Sequence, residues 1–237
     1  MSPERSQWSW TGLNAGLWAA VLATVWAVWF LAAFPVWMAS LPEWQGIEPY
    51  AAVFDPVSYM AWVVPCFLLS ITFPVLIAAI YLYLPVDRRV PGLQALVFAI
   101  LYGAILSADY FVLGTMVRDA LQAGQTEGLE MLVIGSPYSL TNALEGVGYF
   151  FMGLSTLFAG LAWRVPGRLR RATRWLLIIN GIASVLGVAL GALGVPAAAM
   201  LSLGVWGATF PVATALLAWR FRHDLRVAPV SSRVVRV

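Results

Sequence analysis

Apolar residues run through this chain in six long blocks, at 13–38, 59–84, 93–116, 137–163, 174–193 and 197–219, divided by links that carry the charge, the prolines and many of the glycines. At about 1.5 Å per residue, a helix of roughly 20 residues crosses about 30 Å of hydrocarbon. Backbone polar groups inside lipid have to be satisfied within the segment, and runs this long and continuous do so as helices rather than barrel strands. The pattern predicts an all-α, polytopic integral membrane protein: one six-helix transmembrane domain over residues 1–237, ending in a basic tail at 220–237.

Composition strengthens this reading. The chain is 61% hydrophobic and 11% charged, against about 45–50% and 25% in soluble domains. The first block is too long for a secretory signal, and the stretch before it carries only Arg5 balanced by Glu4, so it is read as a retained helix.

Charge orients the spans. All 14 basic residues are arginine. Arg88 and Arg89 fall between the second and third blocks, Arg164, Arg168, Arg170, Arg171 and Arg174 around the fourth-to-fifth turn, and Arg220, Arg222, Arg226, Arg233 and Arg236 after the sixth. Acids dominate the alternate links, with Glu43, Glu48 and Asp55 in one and Asp119, Glu127 and Glu130, beside Arg118, in the other. The positive-inside bias puts the arginine-rich links and both termini in the cytoplasm. Asp55–Pro56 and Ser136–Pro137 read as N-cap and first-turn pairs for the second and fourth helices. Residues 126–134 read as a short outer helix able to lid what lies beneath.

Aromatic and small residues suggest packing. Trp37, Trp44 and Trp62 are expected in an outer interfacial belt and Trp163, Trp175 and Trp219 in an inner one, with Trp18, Trp26 and Trp29 facing lipid or packing. Gly12 and Gly16, and Gly187 and Gly191, have the spacing of close helix contacts.

Two acids interrupt the apolar blocks. Asp109 lies in ILSADYFVLGTM near the outer end of the third, and Glu145 in SLTNALEGVGYFFMG near the outer start of the fourth. Helical rise puts them at similar depth. Thr141, Asn142 and Tyr149 share a face with Glu145, and Tyr102 lies two turns inward of Asp109. Two carboxyls in one poorly solvated pocket disfavour double ionisation, the raw material of proton coupling or cation binding. The competing reading makes the acids a hydrogen-bonded fastener between two helices. Arg118, the nearest cation in sequence, is a candidate neutraliser. The repeated TFPV at 72–75 and 209–212 places Pro74 and Pro211 as matching bend points that free the carbonyls of Ser70 and Gly207.

Other chemistries lack their residues. The single histidine, His223, follows the sixth block, so no paired-histidine haem or histidine-rich metal site forms within the chain, and no metal or cofactor is expected. The single cysteine, Cys66, cannot form an intrachain disulfide. No phosphate-binding glycine loop or serine-histidine pairing occurs. The absence of lysine excludes a retinal Schiff base.

A carboxylate site therefore supports a small proton-coupled transporter or a ligand- or lipid-binding membrane protein first, a structural accessory subunit second, and an intramembrane enzyme last. The six-helix plan, the polar stretch from Tyr138 to Tyr149, the RVPGRLRRATR turn and the Asn180–Gly181 pair resemble bacterial six-helix integral membrane proteins grouped only as families of unknown function. That resemblance implies a bacterial inner membrane and assigns no residue roles. Expected partners are membrane lipids, anionic lipid at Arg164, Arg168, Arg170, Arg171 and Arg174, a small ligand or proton at the acids, and a second copy in a homo-oligomer, with no nucleic acid.

Overall fold

The computed structural model describes residues 10–164 and 167–227. Among them there is no strand. The helices are α1 (Trp10–Ser40), α2 (Ile47–Ala52), α3 (Pro56–Tyr83), α4 (Arg89–Val112), α5 (Arg118–Gln122), α6 (Leu140–Ala162), α7 (Arg168–Ala192) and α8 (Pro196–Val227), with a π turn at Leu113–Val117 joining α4 to α5. Six helices are long and apolar enough to span a membrane. Arg233 and Arg236, and the tail beyond 227, lie outside the described residues.

The six spans form a closed ring. Each packs on its sequence neighbours, α8 returns to α1, and α3 also touches α6. The bundle is held by close approach at small residues, because lipid outside is as apolar as the protein surface and supplies no hydrophobic drive. A Cβ at Gly181 would stand 2.6 Å from the Gly153 carbonyl, and one at Gly153 would stand 2.8 Å from Ser184, so α6 and α7 nearly touch backbones. Gly187 does the same for α7 against Ser202 and Ala198 of α8. Gly16 fits Phe221 and Ala79 at the other side of the ring. Asn180, fully buried, adds directed bonds: it donates to the Thr156 hydroxyl at 3.1 Å and accepts from Thr209 at 3.1 Å, tying α6, α7 and α8.

Several boundaries differ from the sequence expectation. Asp55 caps α3 as expected, accepting from the Val57 and Ser58 amides. The cap of α6 is instead Ser139, which accepts from the Asn142 amide, because Ser136–Ser139 forms its own turn before the helix. The third span begins at Arg89 rather than 93, since Pro91 sits in a first turn that needs no donor there. It also runs past 116 through the π turn into α5. Residues 126–134 do not form one helix. Gly128 at φ +76 and Gly135 at φ +100 break the run, leaving a single 3₁₀ turn, Leu129–Met131. Leu129, Val133 and Ile134 nevertheless insert into the core, so the segment covers the end of the ring opposite the arginine-rich links.

The tryptophan belt also needs correction. Trp37, Trp62 and Trp163 are at most 3% exposed and belong to the core, whereas Trp175 and Trp219 face outward. Azimuth around each helix decides this, and depth alone does not reveal it. Both TFPV prolines lie within uninterrupted helices. Phe73 and Phe210, equivalent in the two copies, meet across the axis at 5.9 Å.

Candidate functional site

Asp109 and Glu145 are brought to the same level by α4 and α6. The contact that fixes this register is Leu106 against Gly148, where a Cβ would stand 2.5 Å from the leucine side chain. Glu145 lies two residues from the lipid-facing Val147, about 200° around the helix, so it points to the ring axis. It keeps partial accessibility there, as does Tyr149, although Tyr149 meets groups on α4 and α8. Asp109 is 2% exposed. The two carboxyls lie within electrostatic reach of each other.

Their hydrogen-bonding situations differ. The Tyr110 and Tyr149 hydroxyls are 3.0 Å apart, Tyr110 faces Glu145, and the Cys66 thiol faces both tyrosines. A hydroxyl donates one proton, so in the Tyr110–Tyr149 pair either oxygen can donate to the other, and the direction is free to respond to the charge on the nearby Glu145. Neither oxygen of Asp109 has a partner. A buried, unpartnered acceptor costs about 1–3 kcal/mol, and more if charged. Arg118 does not relieve it: its guanidinium pairs with Asp119 at 2.7 Å at an exposed end of the bundle. Among the described residues no ion pair involves Asp109 or Glu145.

Of the remaining sequence candidates, Tyr149 and Tyr102 join the site, their rings 6.3 Å apart. Thr141 and Asn142 are engaged elsewhere. Thr141 bonds to Ser139 and the Leu132 carbonyl, and Asn142 donates to the Ser136 carbonyl, so both anchor the 126–139 segment to α6. Thr126 bonds Glu48 at 2.7 Å and links that segment to the α1–α3 connection. Pro74 lies below the acids, where Gly103 of α4 packs against it and the Ser70 carbonyl.

Sequence reasoning missed Tyr110, the residue following Asp109, and the π turn that begins one turn further along the chain. An i→i−5 bond from the Arg118 amide to the Leu113 carbonyl marks that turn, and such turns recur at functional sites. It also missed Asp224. At the arginine-rich end Asp224 accepts from Tyr83 at 2.7 Å and pairs with Arg220 at 2.7 Å, while Arg220 donates to Tyr83 at 2.9 Å. Tyr83 stacks on Trp163, so this network closes the end opposite the acids with α3, α6 and α8. The i,i+4 spacing of Arg220 and Asp224 was the available signal.

Among the described residues no group of three His, Cys, Asp or Glu side chains is placed to hold a metal. No protein-family profile matches the chain, and the comparisons with curated proteins and with solved structures gave no match.

Proposed function

We propose that this chain is a small proton-coupled transporter working from Asp109 and Glu145. One observation carries the reading: a 2% exposed carboxyl whose oxygens have no partner, beside a second carboxyl, inside a helix ring that brings no cation to either. Ionisable groups within spans face interiors and mark ion or proton pathways, because lipid exposure is costly. Tyr110 and Tyr149 supply hydroxyls that reverse donor direction when Glu145 gains or loses a proton. The covered outer end and the Tyr83–Arg220–Asp224 closure are the two barriers that alternating access would open in turn, with Pro74 and Pro211 as bending points of α3 and α8.

The arginine distribution supports cytoplasmic termini. The all-arginine composition and six-helix plan support a bacterial inner membrane, and the exposed Arg164, Arg168 and Arg171 form a surface for anionic lipid.

Proteoliposomes with an entrapped pH dye test the proposal. Wild-type protein should carry protons after an acid pulse, and Asp109→Asn and Glu145→Gln should each lower the flux at least about tenfold, the scale of losing a titrating group from its pathway. Equal flux in all three would refute proton coupling through this pair. Ligand binding without flux would select the binding-protein reading.

A further inference from the structure

An aromatic circuit closes on itself around the ring axis at about the level of the acids. Trp62 of α3 meets Tyr110 of α4 at 6.2 Å and 81°. Tyr110 reaches Tyr149 of α6 through their hydroxyls, and Tyr149 meets Trp206 of α8 at 6.5 Å. Trp206 meets Phe30 of α1 at 5.7 Å, Phe30 stacks on Phe34 at 4.8 Å, and Phe34 returns to Trp62 at 5.5 Å. Five of the six spanning helices contribute. The sixth, α7, turns Gly181, Ser184 and Gly187 to its neighbours, which draws α6 and α8 close enough for Tyr149 and Trp206 to touch.

The acids stand within the height of this collar, Asp109 one residue before Tyr110 on α4 and Glu145 one turn before Tyr149 on α6. A second group of atoms is unmet at the same place. The Tyr59 hydroxyl, on a fully buried residue within electrostatic reach of both carboxyls, has no partner, and neither have the indole nitrogens of Trp62 and Trp206. Tyr59 meets Trp62 ring to ring at 5.5 Å and Trp206 meets Tyr149 at 6.5 Å, so these unpartnered donors belong to the aromatic wall itself.

The chemistry of that wall selects a ligand. Two carboxyls without a protein cation repel an anion. Calcium or magnesium would require six or more oxygen ligands, and among the described residues no third His, Cys, Asp or Glu joins the pair to hold a four-coordinate metal. Aromatic rings attract a cation that sheds its water readily and carries apolar substituents. We propose that the collar binds a small organic cation, a protonated or quaternary amine, with its ammonium against Asp109 and Glu145 and its substituents against Trp62, Tyr149 and Trp206. The Tyr59 hydroxyl and the two indole N–H groups then serve an oxygen on the body of the ligand. This inference rests on the carboxylate reading above and adds a substrate class to it.

Benzyltrimethylammonium, titrated calorimetrically into the full chain in lipid nanodiscs, is the probe. Saturable binding is expected, weakened about tenfold or more by Glu145→Gln and by Trp206→Leu, while Trp206→Phe, which keeps a ring and drops the N–H, stays within about threefold. Thermal unfolding checks that each variant is folded. If Trp206→Leu is not, the Glu145→Gln and Trp206→Phe titrations decide. Absence of saturable heat, binding unchanged in Glu145→Gln, or equal displacement by sodium would overturn the inference. Should the probe fail to bind while Glu145-dependent proton flux persists, only the organic-cation class falls; loss of both removes the carboxylate reading as well.

Discussion

Tyr110 of α4 and Tyr149 of α6 meet hydroxyl to hydroxyl at 3.0 Å, a polar contact between two spans in the neighbourhood of Glu145 and Cys66. The pair does little to hold α4 on α6, because Leu106 on Gly148 and the Ser155 hydroxyl donating to the Ala95 carbonyl at 2.8 Å already do so. Tyr149→Phe should therefore cost no more than about 1 kcal/mol, the scale of hydrogen bonds within membranes, and lower proton flux several-fold. Unfolding in mixed micelles beside a flux assay separates the effects.

Asn180 is the opposite case. Its bonds to Thr156 and Thr209 are satisfied and lie away from the acids. Asn180→Leu removes two interhelical bonds while Thr156 and Thr209 keep their bonds to the Met152 and Val205 carbonyls, so it should destabilise by about 1–2 kcal/mol, and should leave the pH dependence of flux unchanged in the protein that folds.

Close helix approach gives a steric pair. Gly181→Ala places a Cβ 2.6 Å from backbone atoms of Gly153 and Leu157, with no flexible side chain to yield, and should cost about 1–3 kcal/mol. Gly204→Ala meets nothing within 4 Å in α8 and should be neutral or stabilising by up to about 1 kcal/mol. Melting temperatures of the two variants read this directly.

Asp55 supplies a pH test outside the bilayer. The Ser58 side chain, then the Ser58 and Val57 amides, hold its carboxyl below the ordinary carboxylate range. A depressed folded-state value means the cap's contribution is present above the unfolded carboxylate range and is lost as pH falls through the folded value. The stability difference between wild type and Asp55→Ala should be steady near neutral pH and shrink in acid.

The spans were legible because hydrocarbon thickness fixes a helix length, and the common depth of Asp109 and Glu145 was legible because helical rise converts position into height. Azimuth was not. Whether Trp62 joins an interfacial belt or a central collar depends on how α3 is rotated against α1 and α4, and 61% apolar sequence offers little contrast between lipid-facing and axis-facing sides. Thr141 and Asn142 share a helix face with Glu145, yet a turn at Ser136–Ser139 claims them, a local competition that side-chain spacing does not display. Asp224 was hidden by its place beyond the sixth apolar block, although α8 continues to Val227 and carries it back to Tyr83.

The central claim is that Asp109 and Glu145 belong to one titrating unit on the ring axis. Infrared titration of the carboxyl bands in wild type, Asp109→Asn and Glu145→Gln tests it without reference to any substrate. Groups that share a site titrate as a pair, so removing either acid should displace the midpoint of the other by more than about one pH unit. Two midpoints that stay where they were when the partner becomes an amide would contradict it, and Asp109 and Glu145 would then be separate acids on adjacent helices.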